Sequence, residues 1–223
     1  MKKLLICVQS AQMTFYPELR KAQQQTWDSK YLQNCSTLYY YGGAANTYHL
    51  FPEINKDVME IACNCSDEYE MMHWKFKKCM DYVWDLDWDF MFRTNASTYV
   101  RKDKILDFIQ TIPTERYYGG VNGGGYVSGT CALMSRDCVD IARKNFSPEP
   151  TGSEDAYLGT ILLNNGVKIQ DGVKRLQFNF AEDKILEADC YRCKSETKNP
   201  DGTLDRSYDL KAFNNLYNHF KSR

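Results

Sequence analysis

The 223-residue chain lacks any long apolar run. The strongest early candidate is Leu4-Leu5-Ile6-Cys7-Val8, preceded by Lys2-Lys3 and followed at once by polar Gln9-Ser10. A secretory leader needs an apolar stretch of about 7–15 residues with a small-residue cleavage site. The run therefore reads as a buried first strand, no transmembrane segment is expected, and the protein is expected to stay in the cytosol of whichever cell makes it. Charge of either sign is also not in excess: 28 Lys and Arg stand against 29 Asp and Glu, and the net charge is -1. A nucleic-acid backbone needs a concentrated basic face, so no nucleic-acid partner is expected. Internal repeats and low-complexity tracts are missing too. What is left is one globular domain, 1–223, with a substantial core.

Two nucleotide-binding signatures are likewise missing. No glycine follows the first strand, where the chain reads Gln9-Ser10-Ala11-Gln12. That excludes the dinucleotide fingerprint of an ordinary dehydrogenase or methyltransferase. The glycine-rich stretch at 119–129 is not followed by Gly-Lys-Ser/Thr, so it is no phosphate-binding P-loop.

Present instead are nine cysteines, an odd number that suits a reducing compartment. Cys63 with Cys65, and Cys190 with Cys193, could form a four-sulfur zinc site if the fold joined them, although the first spacing is tight for a knuckle. Buried or loop thiols are the simpler expectation. Four Asn-x-Ser sequons, at Asn34, Asn64, Asn95 and Asn145, would matter only in a secretory lumen. The 16 tyrosines would suit a cleft for sugar rings or bases, or else partly buried packing.

Strands and helices alternate through the first three quarters, which predicts an α/β fold. Strands are expected at 3–9, 36–43, 89–94, 117–121, 126–135 and 167–170. Helices are expected at 17–28, 66–84, 102–111, 136–145, 153–164 and 208–221. A loop is expected around Pro52. Ser66 with Asp67-Glu68 reads as a helix cap with first-turn acids. Open α/β sheets bind ligands at the carboxyl ends of their strands. Here those ends fall near Gln9-Ser10, Gly42-Gly43, Asn95–Ser97 and the 119–129 glycines.

Four segments could carry chemistry. Arg20, in Arg20-Lys21-Ala22-Gln23-Gln24-Gln25-Thr26-Trp27, could reach a diphosphate with its planar fork; a solvated helix face is the plainer reading. Arg93-Thr94-Asn95-Ala96-Ser97 carries oxygen ligands at a strand end, and equally suits a polar turn. Gly123, Gly124 and Gly125 allow close backbone approach to a ligand, or simply a glycine hairpin. Glu154-Asp155 opens a helix, where the dipole favours acids and one carboxylate could act as a general base.

In order and spacing, these segments resemble the beta-1,3-glycosyltransferase and Fringe group of inverting GT-A enzymes. Arg20, Ala22, Thr26 and Trp27 match an R-x-A-x-x-x-T-W motif. Arg93 to Val100 lie in the register of K-T-D-D-D-x-F-V. Gly129 to Ser135 resemble a glycine-bearing strand ending in serine, and Glu154, Asp155, Tyr157 and Gly159 match E-D-V-Y-x-G. The likeness covers about residues 3–170. It implies a single GT-A, Rossmann-like domain with a mostly parallel central sheet flanked by helices. Residues 1–100 would serve mainly the nucleotide-sugar and 101–223 the acceptor side and a C-terminal extension. It also implies transfer from a nucleotide-sugar, UDP-linked in the family, to a glycan or glycoconjugate hydroxyl. Asp155 would be the general base, with Glu154 the second choice. Gln9, Ser10, Arg20, Arg93, Asn95, Ser97, Gly124 and Gly125 would bind the donor. One departure matters. The family's acidic triplet holds a divalent cation, Mn2+ or Mg2+, and here it reads Asn95-Ala96-Ser97. Asn95 and Ser97 would hold a cation weakly. Carboxylates could come from Asp85, Asp87 and Asp89, or cationic side chains could replace the metal, or the chain could bind donors without turnover.

Overall fold

Strands and helices alternate along the computed structural model, which describes residues 1–13, 15–44, 46–49, 58–147, 152–178 and 185–221. The loop expected around Pro52 lies outside these residues. In chain order the elements are β1 (Leu4–Gln9), α1 (Tyr16–Gln25), β2 (Cys35–Tyr41), β3 (Asn46–His49), β4 (Val58–Ala62), α2 (Met72–Val83), β5 (Phe90–Asn95) and β6 (Thr98–Val100). They continue with α3 (Lys102–Thr111), β7 (Tyr118–Asn122), β8 (Val127–Ser135), α4 (Arg136–Asn145), α5 (Glu154–Asn164), β9 (Ile169–Gln170), β10 (Arg175–Gln177), β11 (Cys190–Arg192) and α6 (Ser207–Lys221).

Eight strands form one sheet in the order β3-β4-β2-β1-β5-β8-β7-β9. The run β4-β2-β1-β5 is parallel, and β9 is parallel to β7. The other three pairings, β3 with β4 and β8 with both β5 and β7, are antiparallel. The expected α/β sheet is therefore present, parallel in its centre and closed by an antiparallel hairpin. A second sheet, β10-β11-β6, sits beside it.

The central strands are buried on both faces, as parallel strands covered by helices must be. Leu4, Ile6, Val8, Phe90 and Phe92 share a cluster with Ile105 of α3 and Phe213 of α6. The alternate residues Leu5, Cys7 and Met91 pack with Phe76 of α2, Val139 of α4 and Leu158 of α5. Full burial of a side chain such as Phe76 or Phe213 contributes about 1.5–3 kcal/mol. Tyr39, Tyr40 and Tyr41 are all at most 1% exposed. These tyrosines line the core, not a cleft. Two have buried acids as acceptors: Tyr39 donates to Asp28 Oδ2 at 2.9 Å and Tyr41 to Glu60 Oε2 at 2.8 Å.

Two expected helices begin or end differently. The 66–84 helix starts only at Met72, after a 3-10 turn at Tyr69–Met71. Asp67 does not act as a first-turn acid. Its carboxylate accepts from Gly42 N at 2.6 Å, Gln12 N at 2.5 Å and Lys75 Nζ at 3.0 Å. Those bonds pull it to the ends of β1 and β2. Helix α1 stops at Gln25, because the Thr26 N–H and Asp28 N–H both turn back to Gln23 O. The cysteine pairs are not joined: Cys63 belongs to the α2 side of the sheet, Cys190 and Cys193 to the α6 side. That separation by the sheet rules out the four-sulfur site.

Candidate functional site at the carboxyl edge of the sheet

After β1 the chain moves outward through β2 to β4, then returns to the other side of β1 as β5. Gln9 and Asn95 are register partners at this reversal. Such a switch point leaves a crevice beyond the strand ends, where open α/β sheets take ligands. Because β8 runs antiparallel to β5, its first residues reach the same edge, and so does the 122–126 loop of the β7–β8 hairpin.

Asp155 stands at this edge on the first turn of α5 and is half-buried. Its Oδ2 accepts from Gly129 N at 3.1 Å and its Oδ1 from Ala156 N at 3.1 Å. Two backbone donors thus fix the carboxylate while part of it stays open to solvent. Glu154 points the other way and is 2% exposed. It pairs with Arg93, which is 3% exposed, in a very short contact. Burial pushes the Glu154 carboxyl up to about 7, against the pull of Arg93. Burial also works against the Arg93 charge, but Glu154, Tyr40 and Asp155 outweigh it and raise the Arg93 pKa. Arg93 also donates to Gln9 Oε1 at 2.6 Å and lies over the Phe76 ring, 5.0 Å from its centroid. A side chain at Gly129 would collide with the Arg93 guanidinium. This glycine is where β8 must admit a buried arginine.

The residues expected to touch a donor divide into two groups. Gln9, Ser10, Arg20, Arg93 and Ser97 are all buried, with inward partners. Arg20 donates to Ala11 O at 2.6 Å, Ser10 Oγ at 3.2 Å and Gln12 Oε1 at 3.2 Å. It also pairs with Glu60 at 3.5 Å and stacks over Tyr41. Arg20 and Arg93, expected to face a diphosphate, instead brace the floor of the site. Asn95 is half-buried, while Gly124 and Gly125 are exposed with open space around them. Both glycines have positive φ, +87° and +105°, and both donate to Asn122 Oδ1. Only glycine takes such a pair of conformations readily.

Asn95-Ala96-Ser97 forms a polar turn. Asn95 Oδ1 accepts from Ser97 N at 3.0 Å and from Thr98 Oγ1 at 3.1 Å, while Gln23 Nε2 holds Thr98 O at 2.9 Å. The Ser97 hydroxyl accepts from Arg206 Nη2 at 2.7 Å. The Asn95 oxygen already has two donors and the Ser97 oxygen faces a guanidinium. This set does not fit a divalent cation, which wants oxygen ligands free of competing positive charge. Among the described residues no group of three or more His, Cys, Asp or Glu could hold a metal. Asp87 and Asp89 do not supply the missing carboxylates. They lie before β5, at the opposite end of the strand, where Asp87 pairs with Lys3 and Asp89 accepts from Lys3 N at 2.7 Å. Asp85 precedes them on the same exposed turn.

Sequence reasoning left out four cations around this turn: Arg175, Arg192, Lys194 and Arg206. Their signal in the chain is the density of Lys and Arg between 174 and 206, where neither a strand nor a helix was expected. Strand β11 brings in Arg192 and Lys194, because Arg192 is the register partner of Thr98 and Cys193 N donates to Ser97 O at 2.8 Å; Arg175 comes on β10 and Arg206 just ahead of α6.

An open, mixed α/β sheet with its switch point beside β1 and a hairpin closing the edge is a Rossmann-related architecture. Among solved structures the chain is similar to the mannosyltransferase PcManGT from Pyrobaculum calidifontis in complex with GDP-Man and Mn2+, with a TM-score of 0.51 and 10% identity. The match covers 77% of this chain and 55% of that one, so the chain spans about half the length of its structural neighbour. At this identity the likeness is one of fold. No protein-family model matches the sequence, and no curated protein sequence matches it significantly. Among the described residues no helix is long and apolar enough to cross a membrane.

Proposed function

We propose that the chain is a glycosyltransferase that moves a sugar, with inversion, from a nucleoside-diphosphate donor to a hydroxyl of a glycan or glycoconjugate in the cytosol. The observation that carries this reading is Asp155. Its carboxylate is fixed at the carboxyl edge by the Gly129 N–H, while its neighbour Glu154 is tied down by Arg93. In the proposed step, Asp155 takes the proton of the acceptor hydroxyl as that oxygen attacks the anomeric carbon. The bond from that carbon to the diphosphate oxygen breaks, and the nucleoside diphosphate leaves with the electron pair. The 1–100 portion would hold the donor over Asn95, and the 101–223 portion would present the acceptor. Motif resemblance to the Fringe group favours UDP, whereas the structural neighbour holds GDP-Man.

A second reading is a sugar-nucleotide or glycan-binding module without turnover. Its support is the Asn95-Ala96-Ser97 turn, whose oxygens are spent on Ser97 N, Thr98 Oγ1 and Arg206. One assay separates the two. Donor hydrolysis and transfer are followed with UDP-sugars and GDP-Man, beside Asp155→Asn as a control. Turnover that disappears in Asp155→Asn supports the transferase. Donor binding with no turnover supports the silent module.

A further inference from the structure

We propose that Arg175, Arg192, Lys194 and Arg206 form an anion clamp that holds the diphosphate of the donor in place of a divalent cation. The nucleoside diphosphate as ligand rests on the transferase reading above; the clamp itself rests on the following geometry.

The four cations form an arc along the candidate site. At one end Arg206 donates to Ser97 Oγ at 2.7 Å, at the third position of the altered triplet. At the other end Arg175 donates to Ser128 Oγ at 3.3 Å and, very closely, to Thr130 Oγ1. Those two residues flank Gly129, whose N–H holds Asp155. Between the ends lies β11, with Arg192 opposite Thr98 on one side and opposite Gln177 of β10 on the other. Lys194 follows two residues on, its carbonyl accepting from Gln177 Nε2 at 3.2 Å. Arg192, Lys194 and Lys198, with the acid Glu196 among them, are part of the lining of a cleft of about 420 Å3. Ligand sites are typically about 300–1,000 Å3.

Two acids offset the arc only in part, Asp209 by pairing with Arg206 and Glu196 from the lining of the cleft. Asp209 is fully buried and spent on Arg206, at 2.8 Å from Nε, and on Ser195 N at 2.8 Å. Glu196 is exposed. Like charges gathered in a half-buried place repel each other, and the titration directions record this. Burial, then Arg175 and Arg206, lower the Arg192 pKa; burial, then Arg192 and Arg206, lower that of Lys194. Repulsion of this kind is relieved by a bound anion. Guanidinium and ammonium groups match phosphate oxygens well, and fixed cations at a leaving group stabilise the charge that develops there. The metal-poor turn and the cation-rich arc are then one arrangement: Ser97, where the resemblance would place a carboxylate, faces Arg206.

The test is calorimetric titration of the full chain with inorganic pyrophosphate, UDP and GDP, each in EDTA and in Mn2+. Wild type is compared with Arg192→Gln and Lys194→Gln, two half-buried positions whose variants are checked by thermal melting. Pyrophosphate and one nucleoside diphosphate binding in EDTA, about tenfold or more weaker in both variants, is the expected result. A nucleoside diphosphate that binds only with Mn2+, and equally well to the variants, overturns the clamp and leaves the transferase reading standing. Pyrophosphate binding that the variants lose, with no affinity for either nucleotide, keeps the clamp and overturns the nucleotide donor. No binding of any probe in either buffer overturns both.

Discussion

Arg93, the fourth residue of β5, reaches Glu154, the first residue of α5, and the two close a buried ion pair beneath the half-exposed Asp155. Adjacent carboxylates are thus given opposite tasks, and substitutions should separate them. Asp155→Asn should fold normally, keep its donor affinity and lose about 10²–10⁴-fold in transfer rate, read by steady-state kinetics. Glu154→Ala leaves the Arg93 charge buried without its ion-pair partner, with Gln9 Oε1 and the Phe76 ring remaining beside it. It should cost about 3–5 kcal/mol in denaturant unfolding. A large loss of stability in Asp155→Asn with none in Glu154→Ala would reverse the assignment.

Gly129→Ala tests the passage through which Arg93 enters the site. The added methyl would collide with the guanidinium, and the arginine cannot retreat without abandoning Glu154. We expect a loss of about 1–3 kcal/mol, typical of overpacking, together with loss of transfer. A variant as stable and active as wild type would show that Arg93 has room to move.

His73 on α2 gives a pH prediction. It is buried beside Phe146 and Tyr157, with ring centroids 5.8 and 5.9 Å away, and its Nε2 has no hydrogen-bond partner. Burial, and then Arg93, lower its pKa. The unfolded chain takes up a proton at about pH 6.5 while the folded chain resists it. The stability tied to a neutral His73 is therefore present above that pH and lost as pH falls below it. Melting curves between pH 5 and 8 should show a shallower acid-side decline for His73→Gln. Parallel curves would refute the prediction.

Ser97→Ala removes the acceptor that links Arg206 to the 95–97 turn. A hydrogen bond to a charged donor is worth about 1.5–3 kcal/mol. Arg206 keeps Asp209, so unfolding free energy should fall by about 1–2 kcal/mol. An unchanged value would mean that solvent replaces the hydroxyl freely.

Much of this arrangement could be read from the chain before folding. The apolar run at Leu4–Val8, the glycines after Tyr41 and the Glu154-Asp155 helix start each carry a strong local signal. Strand β4 escaped notice because Val58–Ala62 is short and its burial comes from β2, not from its own pattern. The donor-side cations were misread for a similar reason. Arg20 and Arg93 look like surface arginines in sequence, and only Glu60 and Glu154, distant in the chain, show that they are interior. Arg192 and Lys194 lie where no strand was expected, and only the pairing of β11 with β6 sets them beside Thr98. Pairing across long separations is the information a single sequence hides.

The hydrogen bond from Arg206 to Ser97 joins residues 109 positions apart, and Asn95 must already lie beside Gln9 for it to form. Such distant closures are slow and come late. A growing chain released from its template before α6 emerges would own every strand of the main sheet and still lack the finished crevice. Arg206 and α6 therefore act as a completion signal: the crevice is finished only when they dock against a sheet that has already formed.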